Sequence, residues 1–249
     1  MKNKQIFFAI FFCVLFAGKV IAQIAEQPEM NSQKSVTEEL KDLEDKSSKR
    51  IPPEVLEAGR KGEAEIAASG ILKTALNVGA KMPDFSLKDA AGKTIKSEDL
   101  LKEGNLIIVF YRGAWCPYCN LYLRGLQKYL PRFRENGGNL VAISGENPDN
   151  SLSVEKKNNL EFKVLSDPDF QTARKFGIVY QVPKPIDEVA RGYGLDFKNY
   201  YKTEMSELPL SATYVINREG KIVYAFLEPD YKKRADPEKI ILVLKEINK

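Results

Sequence analysis

A short run of aliphatic and aromatic residues, Leu106-Ile107-Ile108-Val109-Phe110-Tyr111, leads through Arg112-Gly113-Ala114-Trp115 into Cys116-Pro117-Tyr118-Cys119 and a helix-like stretch reaching Leu130. Such an unbroken β-branched and aromatic run reads as a strand buried on both faces, the centre of a sheet covered by helices. The cysteines then stand at its carboxyl end. Pro117 suits the first helical position, where no backbone N–H is needed, so Cys116 falls at the N-cap, and Pro131 is expected to close the helix. Two sulfurs share one helical turn. The positive end of the helix dipole favours a thiolate at Cys116, and Cys119, three residues on, can reach it.

Other uses of this pair are weaker. A structural zinc site needs about four N or S ligands, but the chain has no histidine and only one further cysteine, Cys13. A purely structural disulfide would close a very small loop and remove little unfolded-state entropy. Two unpaired core thiols would need no such spacing. The expectation is a redox dithiol, because a low thiolate pKa, a nearby resolving sulfur and a strand-end position are what exchange chemistry needs. No metal or cofactor is expected.

The chain opens with Lys2 and Lys4, an uncharged stretch over residues 6–18, and Val20-Ile21-Ala22 before Gln23. This reads as a secretory signal over residues 1–22, and so as export, to the periplasm. Its apolar stretch is short for a membrane anchor, and Cys13 lacks the small neighbours of a lipidation site. Cleavage removes three lysines and no acids, so the formal charge falls from +4 to +1. That balance argues against nucleic-acid or membrane partners. Residues 23–77 read as a charged, helical N-terminal extension. Residues 23–50 form a mobile lead with one marginal helix, and Pro52-Pro53 start a better one that Gly70 stops. Leu40, Leu43, Val55 and Leu56 are weighed as a partner-binding stripe against plain solvated faces.

Residues 78–249 alternate strand and helix, the mark of an α/β domain. Residues 84–87 and 94–95 flank Asp89-Ala90-Ala91-Gly92 as a hairpin. Residues 140–143 form a second buried parallel strand, 144–149 its exit loop and 150–158 a short helix. Residues 162–165 read as an outer strand, and Asp167-Pro168 caps a helix running to Phe176. Residues 181–209 are the least regular part, a lid, a binding loop or a disordered connection. Their aromatics, Tyr193, Phe197, Tyr200 and Tyr201, are expected to pack on their own underside in preference to sheltering the dithiol. Residues 212–217 and 221–227 form an antiparallel pair, and 237–247 a final helix.

Phe-Tyr-Arg-Gly-Ala-Trp-Cys-Pro-Tyr-Cys over residues 110–119 resembles the peroxiredoxin-like branch of the alkyl hydroperoxide reductase and thiol-specific antioxidant (AhpC/TSA) family. Gly79-Ala80-Lys81-Met82-Pro83-Asp84-Phe85, Leu165-Ser166-Asp167-Pro168 and Ala212-Thr213-Tyr214-Val215-Ile216-Asn217 extend the resemblance from Val78 onward. It implies a thioredoxin-like fold, a central mixed β-sheet flanked by helices. It also implies a Pro-x-x-x-Thr-x-x-Cys pattern and an arginine before a later strand, and here those positions hold Arg112, Cys116, Cys119 and Ser211. Only the attacking cysteine's position is unchanged. The Thr hydroxyl and the Arg would polarise a peroxide O–O bond, which leaves Arg112 as the available substitute. Thioredoxins carry a cis-proline where Ser211 stands, and the nearest proline here is Pro209.

Catalysis is therefore expected from Cys116 and Cys119, supported by Arg112, Trp115, Pro117, Tyr118 and Ser211. The favoured function is an antioxidant oxidoreductase that reduces hydroperoxides through a sulfenic acid and an intramolecular disulfide, reset by an external thioredoxin-type dithiol. An exported protein-disulfide reductase and a non-catalytic binding module are the alternatives. Helix electrostatics assign the attack to Cys116, with Cys119 resolving; the family spacing assigns it to Cys119. The local argument is given the greater weight.

Overall fold

The computed structural model describes residues 34–249; the expected signal segment, 1–22, lies outside the described residues. Helix α1 (Val36–Ser48) begins with a reciprocal capping box, Ser35 Oγ accepting from Glu38 N while Glu38 receives Ser35 N at 2.7 Å. Of the mobile lead expected over residues 23–50, residues 23–33 lie outside the described residues, and the marginal helix is a capped, packed one. Val36 and Leu40 are buried among core residues of the helix that follows the dithiol. Pro52 and Pro53 open α2 (Pro53–Ala68), and Gly70, at φ +83°, turns the chain into the single turn α3 (Ile71–Thr74).

A hairpin of β1 (Ser86–Asp89) and β2 (Thr94–Lys96) precedes α4 (Ser97–Glu103) and β3 (Asn105–Phe110). Every side chain of β3 is buried. Leu106, Ile108 and Phe110 face one core, while Ile107 and Val109 face the other, the two-sided burial that an uninterrupted apolar strand requires. After β3 come α5 (Pro117–Glu135), β4 (Gly138–Ser144), α6 (Pro148–Asn158) and β5 (Lys163–Ser166). A 3-10 turn (Pro168–Phe170) and α7 (Gln171–Lys175) follow. Then come β6 (Val179–Gln181), α8 (Lys184–Gly192), α9 (Phe197–Tyr201) and β7 (Glu207–Pro209). The chain ends with β8 (Thr213–Ile216), β9 (Ile222–Phe226) and α10 (Pro237–Ile247).

The main sheet has the order β2-β1-β5-β4-β3-β8-β9. Its centre is parallel, β3 to β4 and β4 to β5, and β8 adds antiparallel to β3. This mixed sheet, with helices on both faces, is the thioredoxin-like arrangement.

Four local expectations are corrected. Pro131 lies inside α5, which runs on to Glu135. An internal proline costs about 3 kcal/mol, offset here by complete burial of Phe133 and a two-pronged Arg132–Glu238 ion pair to α10. Strand β5 is not outer, because β1 pairs along its free side, Lys88 opposite Ser166. The helix after Asp167 is broken where Asp169 and Phe170 take left-handed φ of 58° and 54°. The two Asp167 carboxylate oxygens still cap its second part, accepting from Thr172 N and Ala173 N. Residues 181–209, finally, hold two helices and a strand that pairs with β6.

Candidate active site

Cys116 is the N-cap of α5, with extended φ and ψ of −88° and 113°, and Pro117 follows at the first helical position. The loop before it is fixed by amides. Asn120 Nδ2 donates to the carbonyls of Ala114 and Cys116 at 2.7 and 3.0 Å, and Asn158 Nδ2 donates to Asn120 Oδ1 at 3.0 Å. Both thiols are free and each sulfur-bearing residue is 1 % exposed. The N-cap therefore does not bring Cys116 nearer to solvent than Cys119.

Positive charge surrounds the pair, and one guanidinium bonds the second sulfur directly. Arg234, in the connection between β9 and α10, donates from Nη2 to Cys119 Sγ at 3.4 Å. Arg112, also buried, lies between two rings, its guanidinium carbon 4.7 Å from the centre of Trp115 and 4.0 Å from that of Tyr231. Among the described residues no carboxylate pairs with either guanidinium. Burying a cation without a counterion is costly, and a thiolate supplies one. Burial works against ionisation of Cys119, but a hydrogen bond from the Cys116 thiol, then Arg234 and Arg112, hold its thiol well below the usual range. For Cys116 burial dominates, and the neighbouring sulfur adds to it, so that thiol is pushed well up. Against the expectation of Cys116 as the thiolate stands one geometric fact: of the two sulfurs, only Cys119 receives a guanidinium hydrogen bond, from Arg234, and that whole charge competes with the fractional one of the N-cap.

An aromatic group holds the loop before the pair. Trp115 packs on Phe197 with ring centres 5.2 Å apart and donates from Nε1 to the Tyr201 hydroxyl at 2.9 Å. Tyr201 in turn donates to the Arg112 carbonyl. Gly113 permits this closeness, since a Cβ there would stand 2.5 Å from both Trp115 Nε1 and the Tyr201 hydroxyl. Behind the loop, the buried Glu146 carboxylate accepts from Ala114 N at 3.0 Å, Tyr200 OH at 2.5 Å and Tyr111 OH at 3.3 Å. Burial lifts this carboxyl above its ordinary range against those three donors. On the other flank Tyr118 shares a 2.9 Å hydrogen bond with Ser47 and meets Tyr231 edge-on at 5.6 Å.

Of the residues singled out from sequence, Arg112, Trp115, Cys116, Pro117, Tyr118 and Cys119 therefore meet in one place. Ser211 stands at the start of β8 with its hydroxyl buried and without a hydrogen-bond partner, making no bond to either sulfur. Phe197 and Tyr201 are buried in the core under their own segment, with Phe170 and Leu208, as expected, and they also touch the dithiol loop through Trp115 and the Arg112 carbonyl; Tyr193 projects away, 70 % exposed. Sequence reasoning missed Arg234, Glu146, Tyr231 and Asn120. A cavity of about 1060 Å³, lined in part by Ile66, Tyr180, Val182 and Arg191, includes neither cysteine in its wall.

The AhpC/TSA family model matches residues 78–225. The putative peroxiredoxin MT2597 of Mycobacterium tuberculosis (strain CDC 1551 / Oshkosh) is 30% identical over 152 residues, 61% of this chain and 85% of that protein. The chloroplastic peroxiredoxin Q of Triticum aestivum is 25% identical over 175 residues, 70% of this chain and 68% of that one. Among solved structures, peroxidoxin BcpB from Mycobacterium tuberculosis superposes with a TM-score of 0.55 at 19% identity, covering 69% of this chain and 98% of that chain. With the thioredoxin-like sheet and a cysteine in the first turn of α5, this match places the chain in the AhpC/TSA family, among the peroxiredoxin-like thiol oxidoreductases.

Proposed function

We propose that the chain is a thiol peroxidase in which Cys119 attacks the peroxide and Cys116 resolves. The Cys119 thiolate displaces an alkoxide or hydroxide from the peroxide: an S–O bond forms, the O–O bond breaks, and the leaving oxygen takes a proton, giving an alcohol or water and a sulfenic acid. Cys116 then attacks the Cys119 sulfur. The S–S bond forms as the S–O bond breaks, and water leaves with the proton of Cys116. An external thioredoxin-type dithiol returns the pair to two thiols by exchange and is itself oxidised. No histidine is present to carry protons; the buried carboxyl of Glu146, tied to the dithiol loop, is the group we assign to that role.

The observation that carries this reading is the burial of both cysteines, 1 % exposed each, with Arg234 on Cys119. A small peroxide needs a far smaller opening to reach such a sulfur than a folded protein does. A protein disulfide needs an exposed attacking sulfur, so burial weighs against the reductase alternative. We also assign residues 1–22 to a removed export signal, 23–77 to a helical extension and 78–249 to the thioredoxin-like domain, working in the periplasm. Intact mass of exported protein beginning at Gln23 is the expected result there.

Peroxide-driven consumption of a dithiol, run beside insulin-disulfide reduction, separates the two enzymes. We expect catalytic peroxide consumption and insulin reduction no faster than with the dithiol alone. The converse pair of rates would make this a protein-disulfide reductase.

A further inference from the structure

We propose that Glu63, on α2, is a positioning residue for the dithiol: through Lys232 it holds the loop that carries both Tyr231 and Arg234. The inference rests on Cys119 being the working thiolate. Both ends of the link lie outside the family-matched region 78–225, so this part of the site belongs to segments that the family pattern does not describe.

Lys232 Nζ lies 2.6 Å from Glu63 Oε1 and 2.6 Å from Asp230 Oδ1, with all three side chains less than one-fifth exposed. Such a shielded group is screened less than a surface pair. Asp230 also accepts from Lys232 N at 3.0 Å, and its carbonyl accepts from Lys233 N, which makes the turn stiff. From this turn the Tyr231 ring reaches over Arg112, while Arg234 Nη1 donates to the Tyr231 and Lys233 carbonyls and Nη2 to Cys119 Sγ. One turn therefore carries Arg234 and the ring that stacks on Arg112. Its far end is tied separately, by Tyr122 OH donating to the Ala235 carbonyl at 2.9 Å. Glu63 itself is well placed, because α2 packs closely on α8 at Gly62, where a Cβ would overlap Ile186.

Field and position predict opposite signs. Deleting the Glu63 charge would, through its field alone, make a nearby thiolate easier to form. Releasing the turn withdraws Arg234 from Cys119 and the Tyr231 ring from Arg112, and makes it harder.

The test is site-resolved alkylation of Cys119 by iodoacetamide against pH, in the full chain. In Glu63→Gln the midpoint should rise by roughly half to one pH unit. Glu57→Gln, on the same helix and paired with Arg60, should leave it in place. Lys232→Met should raise the midpoint too, and adding Glu63→Gln to it should move nothing further, as expected of residues acting as one unit. A folded Glu63→Gln protein with an unchanged or lowered midpoint overturns the proposal, as does a full Glu63 effect persisting in Lys232→Met. Should Glu63→Gln not fold, an unchanged midpoint in Lys232→Met overturns it equally. The assay uses no peroxide. A raised midpoint in a protein that consumes no peroxide supports the positioning role and refutes the peroxidase reading.

Discussion

Cys119→Ser is expected to lose peroxide-driven turnover by at least about a thousandfold, because it removes the nucleophile itself and leaves the pushed-up Cys116 thiol as the only thiol among the described residues. Cys116→Ser should behave differently. Its Cys119 keeps Arg234 at 3.4 Å and the field of Arg112, so one equivalent of peroxide should still be consumed at a rate within about tenfold of the unmodified chain. Turnover should then stall, since no second thiol among the described residues is left to condense with the sulfenic acid, and excess peroxide should carry Cys119 on to the sulfinic acid. Stopped-flow consumption under single-turnover and multiple-turnover conditions distinguishes the two variants. Equal losses in both regimes would mean that the sulfurs do not have separate roles.

Arg234→Met is the second large effect. The substitution keeps an unbranched side chain but deletes a charge and the donor to Cys119 Sγ. With an opposite charge so close worth roughly 1–3 pKa units, the alkylation midpoint of Cys119 should rise by about that amount. The sign for rate follows from the thiolate fraction. The unmodified chain, its Cys119 thiol held well below the usual range, should show a peroxide rate that is flat through neutral pH and falls only in acid. Arg234→Met should be slowed about tenfold or more near pH 7 and should recover as pH rises. Arg234→Lys, which keeps the charge without the planar fork, should lie between them. A flat neutral profile in Arg234→Met would show that Arg112 and Cys116 suffice to hold the thiolate.

The contrast between these residues shows what a sequence can and cannot disclose. The strand run, the N-cap position of Cys116 and the helix over residues 237–247 rest on local chemistry, and the fold places all three as local chemistry requires. Pro131 misleads because burial of Phe133 and the tie to Glu238 come from outside the local segment. Strand β5 looks like an edge because its second partner, β1, lies far upstream. The capping box Ser35-Val36-Thr37-Glu38 was readable, and it explains why α1 is better formed than its charge suggests. Arg234 carried no local signal. It stands 115 positions from Cys119, and nothing in Lys233-Arg234-Ala235 marks it as a partner for a sulfur. Glu146 is similar, a lone carboxylate after β4 whose three donors come from β3's end, the dithiol loop and α9. The assignment of the thiolate turned on those distant groups. A helix end contributes a fraction of a charge, whereas the Arg234 guanidinium on Cys119 contributes a whole one.

The most direct test of this account locates the sulfenic acid. Each single-cysteine variant is treated briefly with peroxide in the presence of dimedone, and the modified residue is identified by mass spectrometry. The account predicts the adduct on Cys119 in Cys116→Ser and none on Cys116 in Cys119→Ser. An adduct on Cys116 in Cys119→Ser, with Cys119 unlabelled in the reciprocal variant, would contradict it and return the attack to the helix N-cap.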